Sequence, residues 1–287
     1  MAAIQEKTGR FEGYDGTTLF YRKYCPEKER FRVVISHGLG EHSGRYGHVA
    51  ETLCPMGACL WIHDHRGHGQ SHGKRGHIND FDDYLQDLKL VMEMAKTDRT
   101  DRMPLLLLGH SMGGLIALSF ARQYPWYLDG LIVSSPLLGV PKPPPPLLSA
   151  IARIMSMVWP TLSLNNQLNP SFISHDDAEV RAYAKSELVH ASISARWFVQ
   201  CMSEMERTVG SPDAIRVPLL MQLAGEDHLV SAPAALAYFE ASTVTDKTLF
   251  HYENLYHEIY NESLPDRDKV LADLKQWVAA RYLQTEI

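Results

Sequence analysis

One serine lies in a pattern that is typical of catalytic nucleophiles. Gly109-His110-Ser111-Met112-Gly113 matches the G-x-S-x-G motif, between a run of leucines and a segment with helical periodicity. A tight turn from a buried strand into a helix exposes the serine hydroxyl at the helix N-terminus, where the helix dipole favours developing negative charge. Because the motif stands in this context, the sequence predicts that Ser111 is a nucleophile and not an incidental serine in a glycine-rich turn.

A serine hydroxyl is a weak nucleophile, so it needs a base within hydrogen-bond reach and a third group that orients the base. Asp227 directly follows a predicted strand, and His257 lies in the loop after the next strand. The carboxyl ends of parallel strands meet at one edge of a sheet, where such folds place catalysis. We therefore predict a catalytic triad of Ser111, His257 as general base and Asp227 as orienting acid, with Glu226 as the competing carboxylate.

Two backbone N–H groups are expected to stabilise the oxyanion that forms when the serine attacks a carbonyl. Met112, the residue after the nucleophile, supplies the first. The glycine-rich loop 36–42 follows a buried strand and lets the backbone approach a substrate, so Leu39 is the predicted second donor. Acyl transfer of this kind needs neither a metal nor an organic cofactor, and we expect none.

A histidine cluster supports a different reaction class. His63, His65 and His68 are spaced H-x-H-x-x-H, a spacing found in hydrolases that bind zinc. Such enzymes usually carry aspartate just before the third histidine, where this chain has Gly67. The sequence favours a strand that ends in a tight turn, with a zinc hydrolase as the alternative. A non-catalytic binding protein is a third hypothesis, but it would more naturally lack one residue of the triad.

Alternating strand and helix patterns position these residues. Strands are predicted at 17–24, 32–36, 58–64, 104–109, 130–135, 218–224 and 247–252, and helices at 81–96, 111–124, after Pro233 and near 268–282. They predict an α/β fold with a mostly parallel central sheet flanked by helices on both faces. Residues 136–211 contain helix-like patterns and no convincing strand. We expect a helical cap over 136–211, inserted between two parts of the core at 1–135 and 212–287.

One helix of the predicted cap is amphipathic. Its apolar side carries Leu147, Leu148, Ile151, Ile154, Met155 and Val158, and its polar side carries Ser149, Arg153 and Ser156. A helix of about 13 residues reaches about 20 Å, so it cannot cross a hydrocarbon layer about 30 Å thick. The pattern predicts either a helix that packs on the core or one that docks on a membrane surface.

Composition narrows the possible domain organisation, binding partners and cellular compartment. The 287 residues, 45% apolar and 22% charged, fit one catalytic domain with an insertion. A net charge of −6 with scattered basic residues argues against a nucleic-acid partner. Without a signal-peptide pattern or a membrane-spanning run, we expect a cytosolic protein, with peripheral membrane contact and oligomeric state left open. Free thiols are therefore expected at Cys25, Cys54, Cys59 and Cys201, with a Cys54–Cys59 disulfide as the alternative.

Three segments carry a resemblance to a known family. His37-Gly38-Leu39-Gly40-Glu41-His42-Ser43-Gly44-Arg45-Tyr46, His63-Asp64-His65-Arg66-Gly67-His68-Gly69-Gln70-Ser71 and Gly109-His110-Ser111-Met112-Gly113-Gly114 resemble monoacylglycerol lipases and the related lysophospholipases. The resemblance covers nearly the whole chain. It implies an α/β-hydrolase fold, a cap over the active site and a monoacylglycerol or similar single-chain lipid ester as substrate.

The resemblance also implies roles for individual residues. It places the oxyanion donors at the two positions predicted above, and contacts to the glycerol head at Glu41, Arg45, His110 and Tyr183. The proline run 143–146 departs from the family, which leaves the acyl chain length open. Lysophospholipase and broad carboxylesterase remain alternatives, although a phosphocholine head would prefer an aromatic cage or more cationic neighbours. Amidase or thioesterase chemistry is also left open.

Overall fold

The computed structural model describes residues 4–97, 103–166 and 168–283. Its strands are β1 (Gln5–Glu12), β2 (Thr18–Cys25), β3 (Phe31–Ser36), β4 (Ala58–His63), β5 (Leu105–His110), β6 (Gly130–Ser134), β7 (Ser163–Asn165), β8 (Ser192–Ser194), β9 (Leu219–Ala224) and β10 (Lys247–Tyr252). The central sheet has the order β1-β2-β4-β3-β5-β6-β9-β10. The pairs β1–β2 and β2–β4 are antiparallel, and the remaining pairs of this sheet are parallel. The predicted mostly parallel sheet is confirmed.

Helices cover both faces of the sheet. They are α1 (Gly47–Leu53), α2 (Asp82–Thr97), α3 (Met112–Gln123), α4 (Pro146–Val158), α5 (Asp177–Lys185), α6 (Ala195–Val209), α7 (Ala232–Ala241) and α8 (Asp266–Tyr282). One hydrophobic core lies between the sheet and a layer that includes α2 and α3, and the other lies between the sheet and α1 and α8. This is the α/β architecture that the alternating patterns predict.

The leucine run before Ser111 shows why the inner strands are apolar throughout. Every residue of β5 is buried, because helices cover the sheet on both sides. Successive side chains of a strand point to opposite faces. Leu105 and Leu107 accordingly belong to one core, and Leu106 and Leu108 belong to the other.

Three strands that the sequence did not predict are short or exposed. Within residues 136–211, β7 and β8 form an antiparallel pair, which corrects the expectation of an insertion without strands. Three residues are too few to show an alternating pattern. At the edge of the central sheet, β1 is mostly exposed and carries no apolar face that a sequence pattern could show. The structure identifies it as a strand through its pairing with β2.

The cysteine prediction was partly wrong. Cys25 at the end of β2 and Cys59 on β4 are joined by a disulfide, so neither is a free thiol and the Cys54–Cys59 alternative is also wrong. Cys54 and Cys201 are free and buried, as expected. The sequence did not reveal the Cys25–Cys59 disulfide because β2 lies beside β4 in the sheet, whereas β3 is the strand that follows β2 along the chain. Local patterns do not show which strands become neighbours.

Helix α4 has its apolar side facing outward. Leu147, Leu148, Ile151, Ile154 and Val158 are exposed, whereas Met155 is half-buried and Ser156 is buried. The guanidinium of Arg196 donates to the Ser156 carbonyl at 2.7 and 3.1 Å, which fixes the polar side towards the protein. The structure therefore contradicts a core-packed apolar face, although Met155, which the pattern places on the apolar side, is half-buried. In the part of the chain that is described, no helix is long and apolar enough to cross a membrane.

Candidate active site

The turn between β5 and α3 presents Ser111 at the carboxyl edge of the sheet. Ser111 has φ 54° and ψ −119°, and a positive φ is adopted by a non-glycine residue only under constraint. Its N–H donates to the Ser134 carbonyl at 3.0 Å. Position 113 requires glycine, because a Cβ there would overlap the carbonyl oxygens of Ser36 and His37. The backbone is that of a nucleophile elbow, with the serine at the start of α3.

The loops after β9 and β10 bring Asp227 and His257 together. Nδ1 of His257 lies 2.7 Å from Oδ2 of Asp227, and both side chains are almost fully buried. The other carboxylate oxygen of Asp227 accepts the backbone N–H groups of Leu229 at 2.8 Å and Val230 at 2.9 Å. Asp227 is thus held in one orientation by its own loop. The competing carboxylate, Glu226, is half exposed and makes no such contact with His257.

The pKa values in this pair are shifted in the directions that a general base needs. Burial lowers the pKa of His257, but the charge and hydrogen bond of Asp227 outweigh it and leave this pKa above its ordinary value. Burial raises the pKa of Asp227, but the opposing effects of His257 and of the two backbone N–H groups leave it below its ordinary value. Asp227 is therefore ionised when His257 takes up a proton.

Ser111 and His257 line one cavity of about 190 Å³, which also borders Leu39 and Met112, the predicted oxyanion donors. The remaining wall is largely apolar and comes from the cap and the loops after β6 and β9: Leu137, Val140, Leu168, Ile173, Ile193, Trp197, Phe198, Cys201, Met202, Leu229 and Val230. A mostly apolar cavity with a few polar groups around the reacting atoms suits a substrate with an aliphatic chain.

A second cavity lies between α4 and α6. Its volume is about 230 Å³, and its rim includes Ser149 and Arg153 of α4. Phe198 and Met202, four residues apart on α6, line both this outer cavity and the cavity at Ser111. These two side chains therefore form the partition between the two spaces. Val199 lines the outer cavity but not the inner one.

The polar end of the inner cavity is crowded with charges. Glu41, His110 and Tyr183, for which the family resemblance implies contacts to glycerol, line it. Arg45 lies behind them, where its guanidinium pairs with Glu258, lies 3.6 Å from Glu41 and stacks on the Tyr183 ring with its central carbon 5.1 Å from the ring centroid. Arg45 also borders a further small cavity, which shares Glu41 and His110 with the main one.

Two effects of burial stand out at this polar end. The ring of His110 lies 4.7 Å from that of His257, and burial lowers the pKa of His110 to about 3, which keeps it neutral. Burial and the charge of Glu258 raise the pKa of Glu41 in spite of Arg45. Glu258 also lines the inner cavity, and sequence reasoning missed it. The one sequence feature that could have pointed to Glu258 was its position directly after His257, the predicted base.

The histidines of the zinc alternative are buried in a different arrangement. His37, His63, His65, His68 and His190, here called the histidine cluster, pack in tilted and edge-to-face pairs with ring centroids 4.3 to 6.2 Å apart. Their ring nitrogens do not converge on one point. Among the described residues, ligand atoms converge at one group, Cys25, Glu29 and Cys59, and a disulfide ties up its two sulfurs. The zinc hypothesis gains no support.

Comparisons with known proteins agree with this geometry. Residues 27–264 match the family described as serine aminopeptidase, S33. Monoglyceride lipase of Rattus norvegicus is 33% identical over 270 residues, which cover 93% of this chain and 88% of that protein. The chain belongs to the monoacylglycerol lipase family of α/β-hydrolases. The predicted family and the serine hydrolase class are thereby confirmed.

Further members of the monoacylglycerol lipase family match over nearly their full length. Monoacylglycerol lipase of Mycolicibacterium smegmatis is 30% identical over 272 residues, covering 94% of this chain and 96% of that protein. The crystal structure of Paleococcus ferrophilus monoacylglycerol lipase superposes with a TM-score of 0.82 at 29% identity, over 96% of this chain and 99% of that one. The α/β-hydrolase fold is confirmed.

Proposed function

We propose that this protein hydrolyses monoacylglycerols to a fatty acid and glycerol through an acyl-serine intermediate. One observation carries the proposal: His257, which lies 2.7 Å from Asp227, and Ser111 line the same mostly apolar cavity. Membership of the monoacylglycerol lipase family supports the same substrate class. The residue roles given below are part of the proposal.

In the first half-reaction, Ser111 Oγ attacks the ester carbonyl and His257 accepts the hydroxyl proton. Asp227 accepts the Nδ1–H of His257, which leaves Nε2 free to act as the base. The N–H groups of Leu39 and Met112 stabilise the oxyanion. Collapse of the tetrahedral intermediate breaks the ester C–O bond, and His257 gives its proton to the departing glycerol oxygen. A water molecule then repeats the sequence on the acyl-serine and releases the fatty acid.

The charges at the polar end support a neutral head group. Of the described residues that line the two cavities at this end, Arg45 is the one lysine or arginine, and it is already paired with Glu258 and close to Glu41 and Glu179. The carboxylates outnumber this guanidinium, so the phosphate of a lysophospholipid would meet repulsion and, within this lining, no unpaired lysine or arginine. Glycerol hydroxyls need only hydrogen-bonding groups, and Glu41, His110 and Tyr183 offer them at the cavity.

Turnover of a substrate panel tests this proposal. The panel contains monoacylglycerols of several chain lengths, lysophosphatidylcholine and an aryl ester and an aryl amide of the same acyl chain. We expect the highest kcat/KM on a monoacylglycerol, at most a tenth of it on lysophosphatidylcholine, and loss of all hydrolysis in Ser111→Ala. A preference for the lysophospholipid would overturn the substrate class. Hydrolysis by Ser111→Ala at rates near the parent would overturn the mechanism.

We also propose that the outward side of α4 docks on a lipid surface. Leu147 and Val158 are about three-quarters exposed, and Leu148, Ile151, Ile154 and Trp159 extend the same apolar patch. Exposed patches of this kind mark interaction sites, and a helix with an apolar side and a polar side can lie in the plane of a bilayer surface. The inner cavity is bordered by the cap, so docking here would deliver a water-insoluble substrate close to Ser111.

Vesicle co-sedimentation tests the docking with a matched control. Ile151→Ser with Ile154→Ser should weaken binding to phosphatidylcholine vesicles and lower turnover of a long-chain monoacylglycerol, while a short soluble ester is hydrolysed as before. Trp126→Ser removes an apolar side chain outside the cap that is even more exposed, 71% against 46% for Ile151 and 54% for Ile154, and should leave both properties unchanged. Unchanged vesicle binding by the double variant would refute the docking surface.

A further inference from the structure

Two buried side chains hold the two sides of Gly38, the residue before Leu39. Glu41 Oε1 accepts the N–H of Gly38 at 2.5 Å, and Nδ1 of His37 lies 2.8 Å from the Gly38 carbonyl oxygen. On its other side, the His37 ring accepts the backbone N–H of His65 at Nε2, at 3.0 Å. A neutral imidazole that accepts at Nε2 carries its proton on Nδ1. His37 therefore donates to the Gly38 carbonyl.

This bond has a consequence for the next N–H group along the chain. The carbonyl of Gly38 and the N–H of Leu39 belong to one planar trans peptide, in which C=O and N–H point in opposite directions. A carbonyl drawn towards His37 thus turns the Leu39 N–H away from His37. The loop also passes close to the nucleophile, since a Cβ added to Gly38 would lie 3.3 Å from the Cβ of Ser111.

We propose that His37 and Glu41 are positioning residues that fix the direction of the Leu39 N–H before the substrate binds. This role presupposes the proposed serine mechanism. We call the two hydrogen bonds that Glu41 and His37 make to Gly38 the clamp. It differs from the glycerol contact that the family resemblance implies for Glu41, because holding the loop would assist the hydrolysis of every ester, with or without glycerol. Glycine-rich backbone is otherwise free to adopt many conformations, and an oxyanion hole works because its donors need no reorganisation during the reaction.

The geometry explains why a buried carboxyl occupies position 41. Glu41 is 3% exposed, and its Oε1 accepts both the Gly38 N–H and the hydroxyl of Tyr46, the latter at 2.9 Å. His37 is completely buried against the turn that contains His65. Both hydrogen bonds of the clamp therefore anchor the loop to elements of the core, and neither anchor depends on the cap.

Substitutions at position 41 separate the two roles. Glu41→Ala removes the acceptor of the Gly38 N–H, whereas Glu41→Gln keeps a side-chain carbonyl that can accept it. Tyr46→Phe is the matched control, because it deletes only the other hydrogen bond to the same oxygen. Each variant is assayed on a monoacylglycerol and on a nitrophenyl ester of the same acyl chain, which has no glycerol. Rates are expressed per site titrated with a fluorophosphonate, so that unfolded protein is not counted.

Loss of one oxyanion donor costs enzymes about 100- to 1000-fold in kcat, and a misdirected donor should cost part of that. We expect Glu41→Ala to lose about 10- to 100-fold in kcat on both esters with little change in KM, Glu41→Gln to recover most of it, and Tyr46→Phe to stay within about threefold of the parent. A loss confined to the monoacylglycerol would overturn the clamp and leave Glu41 as a glycerol contact.

Position 37 gives an independent test should Glu41→Ala fail to fold. His37→Asn places an amide N–H near the position of Nδ1, whereas His37→Leu offers no donor to the Gly38 carbonyl. The clamp predicts at least tenfold higher kcat for His37→Asn than for His37→Leu on the nitrophenyl ester, and equal values would overturn it. If the parent hydrolyses the nitrophenyl ester but no monoacylglycerol, the proposed substrate fails while the clamp is still tested.

Discussion

Replacing Asp227 by asparagine tests the triad through the direction of its hydrogen bonds. The backbone N–H groups of Leu229 and Val230 both donate to Oδ1 of Asp227. An asparagine must keep its carbonyl oxygen there, because the alternative places its NH2 against two donors. The NH2 then faces Nδ1 of His257, which has to accept. A neutral imidazole that accepts at Nδ1 carries its proton on Nε2, so it has no lone pair for the proton of Ser111.

The expected loss follows from this wrong tautomer. In serine hydrolases with a Ser-His-Asp triad, the corresponding substitution lowers kcat about 10⁴-fold, which corresponds to about 5 kcal/mol of barrier. The volume and the two backbone hydrogen bonds are retained, so we expect the thermal unfolding midpoint to change little. The assay is kcat on a soluble ester at pH 8, with the folded fraction checked by circular dichroism.

Glu226→Gln is the matched control, since it makes the same chemical change on the neighbouring carboxylate. Glu226 is half exposed and lies 3.8 Å from His228, so we expect kcat within twofold of the parent. Equal losses in the two variants, or an Asp227→Asn variant within tenfold of the parent, would refute the assignment of the orienting acid.

Further predictions concern pH and chain length. Because the pKa of His257 is raised and its neutral form is the base, kcat/KM on a soluble ester should fall as pH drops through a value above 6.5, and a midpoint below 6.5 would contradict this. Burial lowers the pKa values of the histidine cluster in the folded protein. In the unfolded chain these histidines have their ordinary pKa near 6.5, so below that pH the unfolded chain binds more protons than the folded protein. Urea unfolding should show stability falling as pH decreases from 7 towards 5, by up to about 1.4 kcal/mol per pH unit for each histidine, and a flat profile would contradict it. Phe198→Ala should open the partition and shift the preferred monoacylglycerol towards longer acyl chains, whereas Val199→Ala, which lines only the outer cavity, should leave the chain-length profile unchanged.

The sequence could bring the three proposed triad residues to one edge of the sheet because each of them follows a parallel strand. Fully buried strands are continuous apolar runs, so β3, β5 and β9 could be located along the chain. The last strand, β10, is mostly half-buried. The carboxyl ends of these four parallel strands meet at one edge of the sheet. Ser111, Asp227 and His257 each follow one of them. The sequence favoured Asp227 over Glu226, but the observation that separates them, the 2.7 Å contact between Asp227 and Nδ1 of His257, is not contained in local patterns.

Other features depend on contacts between distant segments. The Cys25–Cys59 disulfide follows from the strand order, and Glu258 enters the site through its pairing with Arg45, 213 positions away along the chain. Amphipathic periodicity located α4 but could not decide which side faces the protein. That side is fixed by Arg196, whose guanidinium binds the Ser156 carbonyl.

The most direct test of the acyl-serine mechanism is covalent labelling of the enzyme during loss of activity. A fluorophosphonate should label Ser111 alone, at one equivalent per chain, and monoacylglycerol hydrolysis should fall in proportion to the labelled fraction. Peptide mapping by mass spectrometry identifies the modified residue, and Ser111→Ala should remain unlabelled. Full hydrolysis by enzyme that is completely labelled at Ser111, or inactivation through a label on another residue, would contradict the mechanism.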